Sequence, residues 1–206
     1  MAITATDSGG TEFEQPPVGT HVARCYKMID LGTQRVTWQG TEKWQRKVLI
    51  AWELPTELVE VEGQKKPHMV MARYTLSLSE KSTLAPLLES WRGQSFTAEE
   101  RNGFDIEKIV GAPCMISLVK SECGRFTNVA AVMAMPKGVA CPPAVNGVVI
   151  YSLETPDQAV FDGLSDKVKA IIQGSKEWAQ KNAPAQPEFN DDIPPMTEDD
   201  LQDIPF

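Results

Sequence analysis

The apolar residues of this chain change period twice between residues 74 and 133, and the order of those changes restricts the architectures open to it. In "RYTLSLS", Tyr74, Leu76 and Leu78 alternate with Arg73, Thr75 and Ser77, the two-residue repeat of a strand with one face inward. In "EKSTLAPLLESWRG", which follows at once, Leu84, Leu87, Leu88 and Trp91 recur at three and four residues. That spacing predicts a helix with Ser82 as its cap, Pro86 inside the first turn and Gly93 at the exit. "TAEE" at Thr97–Glu100 fits a capping box, and "DIEKIVG" adds a short turn between Asp105 and Gly111. The strand pattern then returns in "PCMISLVKS" and "RFTNVAAVMAM", which flank Glu122-Cys123-Gly124 as a hairpin turn.

Upstream, "PPVGTHVARCYKMIDLG" and "KVLIAWEL" supply two more strands, the second ended by Pro55. "ELVEVEG" and "PHMVMA" carry weaker strand signals. The chain is therefore expected to be mainly β with helical inserts: three strands, a helical insert, then two strands. A five-stranded Greek-key barrel with a helix between its third and fourth strands is the OB-fold arrangement. That is the fold predicted for residues 16–138, behind a loose N-terminus over 1–15. Residues 139–183 form an extension. Its Pro/Gly-punctuated start, "VACPPAVNGVVIYSLETPDQ", is expected along the barrel. "LSDKVKAIIQGSKEWAQK" reads as one helix with Leu164, Val168, Ile171, Ile172 and Ser175 on one stripe, weakened at Gly174. Residues 184–206, with several prolines and no periodicity, cannot bury enough apolar surface to offset the cost of ordering and are expected to be disordered.

Charge is distributed unevenly. Residues 1–150 hold 16 basic and 16 acidic side chains, whereas residues 151–206 hold 4 and 12, which accounts for the whole net charge of −8. Residues 187–206 carry seven acids and no base, the pattern of an interaction tail. No apolar run approaches the roughly 20 residues of a membrane helix. The first residues lack the basic start and apolar core of a secretion signal, so a cytoplasmic location is expected. Cys25, Cys114, Cys123 and Cys141 form no C-x-x-C pair, and His21 and His68 have no obvious acid partner. The cysteines read as buried or incidental thiols, with no metal, cofactor or disulfide framework implied. No phosphate loop, nucleophile elbow or H-E-x-x-H motif is present, so no catalytic residues are assigned.

The segment "GTQRVTWQGTEKWQRK", residues 32–47, is the strongest candidate for chemistry. It holds Arg35, Lys43, Arg46 and Lys47 against Glu42 alone, interleaved with Trp38 and Trp44. Read as a connection between the first two strands, it exposes indoles that need a partner. A single nucleic-acid strand supplies one, because every base offers a flat face and the cations meet its phosphates. Core burial of one indole, with the charges as solvated rim, is the competing assignment. Arg73, Arg125 and Phe126 are supporting candidates for the same ligand. Trp91 and Tyr74 are assigned to the core by their stripe positions, and Lys65-Lys66 to a solvated turn.

The stretch "TEDDLQDIPF" places Asp203-Ile204-Pro205-Phe206 behind further acids at the free carboxylate. Large apolar side chains on a loose acidic segment make sense if another protein has a pocket for them. These residues resemble the C-terminal tip of bacterial single-stranded DNA-binding proteins. "RYTLSLSEKSTLAPLLESWRGQSFTAEE" and "GTHVARCYKMIDLGTQ" are more similar to OB-type single-strand binders of phages and integrative elements. The resemblance implies a non-enzymatic protein that coats single-stranded DNA in a bacterial cytoplasm, encoded by the host, a phage or a mobile element. It also implies that Asp199, Asp200, Asp203, Ile204, Pro205 and Phe206 recruit replication, recombination and repair enzymes. A homo-oligomer is compatible with this layout, and the sequence does not set its order. A recombination accessory that anneals strands, and a protein-only adaptor with a DNA-mimicking tail, are the alternatives.

Overall fold

A computed structural model describes residues 14–182. The expectations for the first 13 residues and for 183–206, including the disorder of the acidic segment and the partner-binding residues Asp199 to Phe206, lie outside the described residues. The chain runs β1 (Gly19–Trp38), β2 (Thr41–Val61), β3 (Gln64–Thr75), α1 (Leu84–Arg92), α2 (Ala98–Asn102), a 3-10 turn (Ile106–Ile109), β4 (Pro113–Lys120) and β5 (Thr127–Met133). It continues with β6 (Val149–Tyr151), α3 (Gln158–Asp162), α4 (Asp166–Gln173) and α5 (Lys176–Lys181). The strands form one sheet in the order β3-β2-β1-β4-β5, antiparallel throughout, with the short β6 added parallel to β1. The outer strands β3 and β5 approach within 8 Å at Cα, yet no ladder joins them, so the sheet is unclosed.

Alternation of side chains gives β2 two buried faces. Val48, Ile50, Trp52 and Leu54 point to a core shared with Ala23, Cys25 and Met28 of β1, Val70 of β3, and Cys114, Ile116 and Leu118 of β4. Helix α1 closes that core with Leu84, Leu88 and Trp91, and the Trp91 indole N–H donates to the Pro113 carbonyl at 3.0 Å. A side chain such as Ile50, fully buried, contributes about 1.5–3 kcal/mol relative to exposure. Irregularities between Cys25 and Lys27, and between Asp30 and Gly32, shift the parity of β1. They keep Cys25 and Met28 inward while Ile29 and Leu31 join a second core.

That second core lies against the C-terminal extension. Ile29, Leu31 and Leu49 pack on Tyr151, Leu153, Phe161, Leu164 and Ile172. Glu53, fully buried, fastens the start of the extension: its carboxylate accepts from the Val145 N–H at 3.0 Å, and from the Asn146 N–H and side-chain amide at 2.8 and 2.7 Å. Buried carboxylates need such donors.

Several boundaries differ from expectation. Pro55 does not end β2; it sits where the β2–β3 register shifts between Leu54 and Leu58, a position at which a missing N–H costs no ladder bond. "ELVEVEG" is therefore the end of β2, and "PHMVMA" lies within β3. Thr83 rather than Ser82 occupies the N-cap position of α1, although the Ser82 hydroxyl accepts from the Ala85 N–H at 3.2 Å. The expected single C-terminal helix is two. α4 stops at Gly174, and Ser175, 1% exposed, starts α5 by accepting from the Trp178 N–H at 3.2 Å. The break lets Ser175 pass close over Gly32, a contact with a residue 143 positions earlier that no helical stripe reveals. Among the described residues no helix is long and apolar enough to cross a membrane, and no group of side chains is arranged to hold a metal ion.

Candidate nucleic-acid interface

Residues 32–47 are not a connecting loop. They continue β1 and β2 as a two-stranded arm that pairs through Trp38 and Thr41 and turns at Gln39-Gly40, both at positive φ. Two consecutive left-handed residues match the right-handed twist of a hairpin, and glycine takes the second without strain. Polar residues occupy both faces of this arm, so its sequence shows no alternation by which a strand could be recognised.

The ladder register sorts the candidates. Arg35 lies opposite Trp44, Thr33 opposite Arg46, Val36 opposite Lys43 and Gln34 opposite Gln45. Opposed residues share a face and successive pairs alternate. Arg35, Trp44 and Arg46 therefore lie on one face of the arm. Lys43 and Lys47 lie on the other, together with Arg73, which β3 places opposite Leu49. Trp38 occupies the last position of β1.

On the first face Trp44 is 49% exposed, with the Lys176 ammonium 4.0 Å from its ring centroid. Arg35 is exposed and ion-paired with Glu42. Arg46 has a different role. Its guanidinium donates to Asp30 at 2.6 and 3.4 Å and, through two nitrogens, to Glu154 at 3.1 Å. Hydrogen bonding to Asp30 raises its pKa above the ordinary arginine value. Held by two carboxylates, this arginine fastens β2 to β1 and to the extension. It also lines a cleft of about 170 Å³ with Asp30, Glu107 and Glu154, whose negative charge repels a phosphate.

On the second face the Lys47 ammonium donates to Gln45 Oε1 and Thr75 Oγ1, both at 2.7 Å. Burial and, after it, the neighbouring Arg73 charge lower the Lys47 pKa. Two cations that disfavour each other this way gain when an anion arrives between them. Beside them on β3, Met69 and Met71 are 51% and 61% exposed, opposite Glu53 and Ala51, and the Tyr26 hydroxyl donates to the Met69 sulfur at 2.9 Å. Sequence reasoning missed this Met-x-Met-x-Arg strip. Its signal was the alternation in "PHMVMA", with the methionines on the face opposite Val70 and Ala72.

Arg125 and Phe126 are brought to a different place. They sit in the β4–β5 turn, where Phe126 is 56% exposed. β4 pairs its end with the start of β1, Leu118 with Gly19, so this turn and the Trp44 arm stand at opposite ends of the 20-residue β1. Trp91 and Tyr74 pack in or against the core as their stripes predict.

One face offers the half-exposed Trp44 ring beside Arg35, and the opposite face offers the exposed Met69 and Met71 beside Arg73 and Lys47. Each face can hold a planar group next to an anion. Scanned against protein-family models the chain matches none, and a search of curated proteins finds no match.

Proposed function

We propose that this protein is a non-enzymatic single-stranded DNA-binding protein whose sheet is an OB-type barrel left open between β3 and β5. The observation that carries this reading is Trp44, half exposed on a projecting arm with Arg35 across the ladder and Lys176 over its ring. A base stacks on the indole, worth about 1–3 kcal/mol by the usual scale of such contacts. Phosphates meet Arg35 beside Trp44, while Lys43, Lys47 and Arg73 form a separate cationic patch on the opposite face of the ladder. The Arg35–Glu42 pair is exposed, and exposed pairs are worth about 0–1 kcal/mol, so a phosphate displaces the carboxylate at little cost. The strand order β3-β2-β1-β4-β5, with helices between β3 and β4, supports the OB assignment. Residues 199–206, by their acids and their Ile-Pro-Phe end, dock replication, recombination and repair enzymes.

The test is a titration of intrinsic tryptophan fluorescence with oligo-dT at low salt, beside Trp44→Ala and Trp38→Ala. The expected result is a quench that Trp44→Ala reduces and that added salt reverses. Absence of any quench or affinity at low salt overturns the proposal. It would favour the protein-only adaptor, which the even charge balance of residues 1–150 also fits.

A further inference from the structure

We infer that Lys176, a residue of the C-terminal extension, belongs to the strand-binding surface: it holds the Trp44 indole from one side, leaves the other ring face open to a base, and meets the adjacent phosphate. An indole on a two-stranded arm has few neighbours to fix its orientation. Here the Lys176 ammonium lies 4.0 Å from the ring centroid while the residue stays 49% exposed, so the ring holds a cation and still has accessible surface for a base.

The placement of this lysine is built into the fold. Ser175, immediately before it, is buried over Gly32 and caps α5. Glu177, immediately after it, accepts from the Thr33 N–H at 2.7 Å and the Thr33 hydroxyl at 2.6 Å. Thr33 lies opposite Arg46 on the face that carries Trp44. Lys176 is thus flanked by two anchored residues, and its backbone is fixed relative to the ring it covers. The neighbouring carboxylate is already engaged by Thr33, and among the described residues Lys176 makes no ion pair. Its charge is available to a ligand. A cation on one face of an indole is attracted by the ring quadrupole, and a base stacked on the other face brings a phosphate to the rim.

This inference rests on the single-strand reading, and the experiment separates the two. Full-length wild type, Lys176→Ala, Lys176→Arg and, as a control at an exposed position of α4, Lys167→Ala are titrated against labelled oligo-dT at several salt concentrations. Lys176→Ala is expected to weaken binding about three- to tenfold and to reduce the slope of log K against log salt by about 0.7, the share of one phosphate on a single strand. Lys176→Arg restores both, and Lys167→Ala changes neither. In the free protein, acrylamide quenching of Trp44 rises in Lys176→Ala, because the covered ring face opens. If wild type binds and Lys176→Ala binds equally well or more tightly, the role of Lys176 is overturned while the single-strand reading stands. If wild type does not bind, both fall.

Discussion

Thr33 and Glu177 lie 144 residues apart, yet both the N–H and the hydroxyl of Thr33 donate to the Glu177 carboxylate. The bond covers the free edge of β1 just past the point where β6 stops pairing, Ile29 with Tyr151. It therefore ties α5, with Lys176, to the base of the Trp44 arm.

The first prediction concerns pH. Burial opposes ionisation of Glu177, but the hydrogen bonds from the Thr33 side chain and backbone outweigh it and hold the carboxyl below its ordinary value of 4.5. A carboxylate depressed in the folded state contributes stability that is fully present above the ordinary value and is lost as pH falls through the folded one. The α5 contact should hold from neutral pH down to about 4.5 and weaken below it. Followed by acrylamide quenching of Trp44, wild type should show a transition below that pH that Glu177→Gln lacks. Glu177→Ala should cost about 1.5–3 kcal/mol in urea denaturation at pH 7, the scale of hydrogen bonds to a charged acceptor.

Arg46 is predicted to be a stability residue rather than a DNA contact. Removing it leaves Asp30, 9% exposed, with only the Gly32 and Leu153 N–H groups as donors among the described residues, at 2.9 and 3.5 Å. Arg46→Ala should destabilise the protein by about 2 kcal/mol, below the loss for a fully buried pair because its side chain is 33% exposed. Arg46→Lys should restore little, since a lysine cannot serve Asp30 and Glu154 with a planar fork. Measured on folded protein, oligo-dT affinity should change less in Arg46→Ala than in Arg35→Ala; the reverse ranking would return Arg46 to the interface.

Glu42 should act as a competitor for the strand. It is the acid paired with Arg35, across the ladder from which Trp44 stands. Glu42→Gln is expected to tighten oligo-dT binding about two- to fivefold at low salt, because the phosphate no longer displaces a carboxylate, and to leave the unfolding midpoint nearly unchanged. Arg35→Ala should weaken binding and lower the salt slope by about 0.7. Unaltered affinity in both variants would place the strand elsewhere, with the Met69–Met71–Arg73 face the next to test.

What the sequence revealed follows how local each feature is. The Thr97–Glu100 capping box, the Gly93 exit and the Leu84–Trp91 stripe depend on residues within a few positions of each other, and all three are found. Arg46 and Glu53 could not be placed, because their deciding partners Glu154 and Val145 lie 108 and 92 residues away. The candidate site suffered most from register. Residues 32–47 group Arg35, Lys43, Trp44, Arg46 and Lys47 as neighbours, but pairing in a strand sends successive members to opposite faces. Composition of a segment names what it could bind; only the ladder says which side chains can bind it together.

Gly32 provides the sharpest test of whether the extension and the body are held by the contacts described. Its φ is +70°, and a Cβ there would stand 2.6 Å from Ser175 Cβ, 2.7 Å from Leu153 Cδ1 and 2.8 Å from Glu177 Oε2. Gly32→Ala combines the left-handed cost of about 1–2 kcal/mol with overpacking of about 1–3 kcal/mol. The chain relieves that strain most easily by lifting Leu153 and Ser175 off β1, since the core around Ile50 and Ile116 does not touch the new methyl group. Hydrogen exchange should then show lost protection in α3 and α4, around Phe161 and Ile172, while amides of β2 and β4 at Ile50 and Ile116 keep theirs. Detachment also carries Lys176 away from Trp44, so oligo-dT binding should fall as it does in Lys176→Ala. A uniform loss of protection across both cores would mean that the extension is not a separable layer, and that its contacts with β1 are required for the sheet itself to hold.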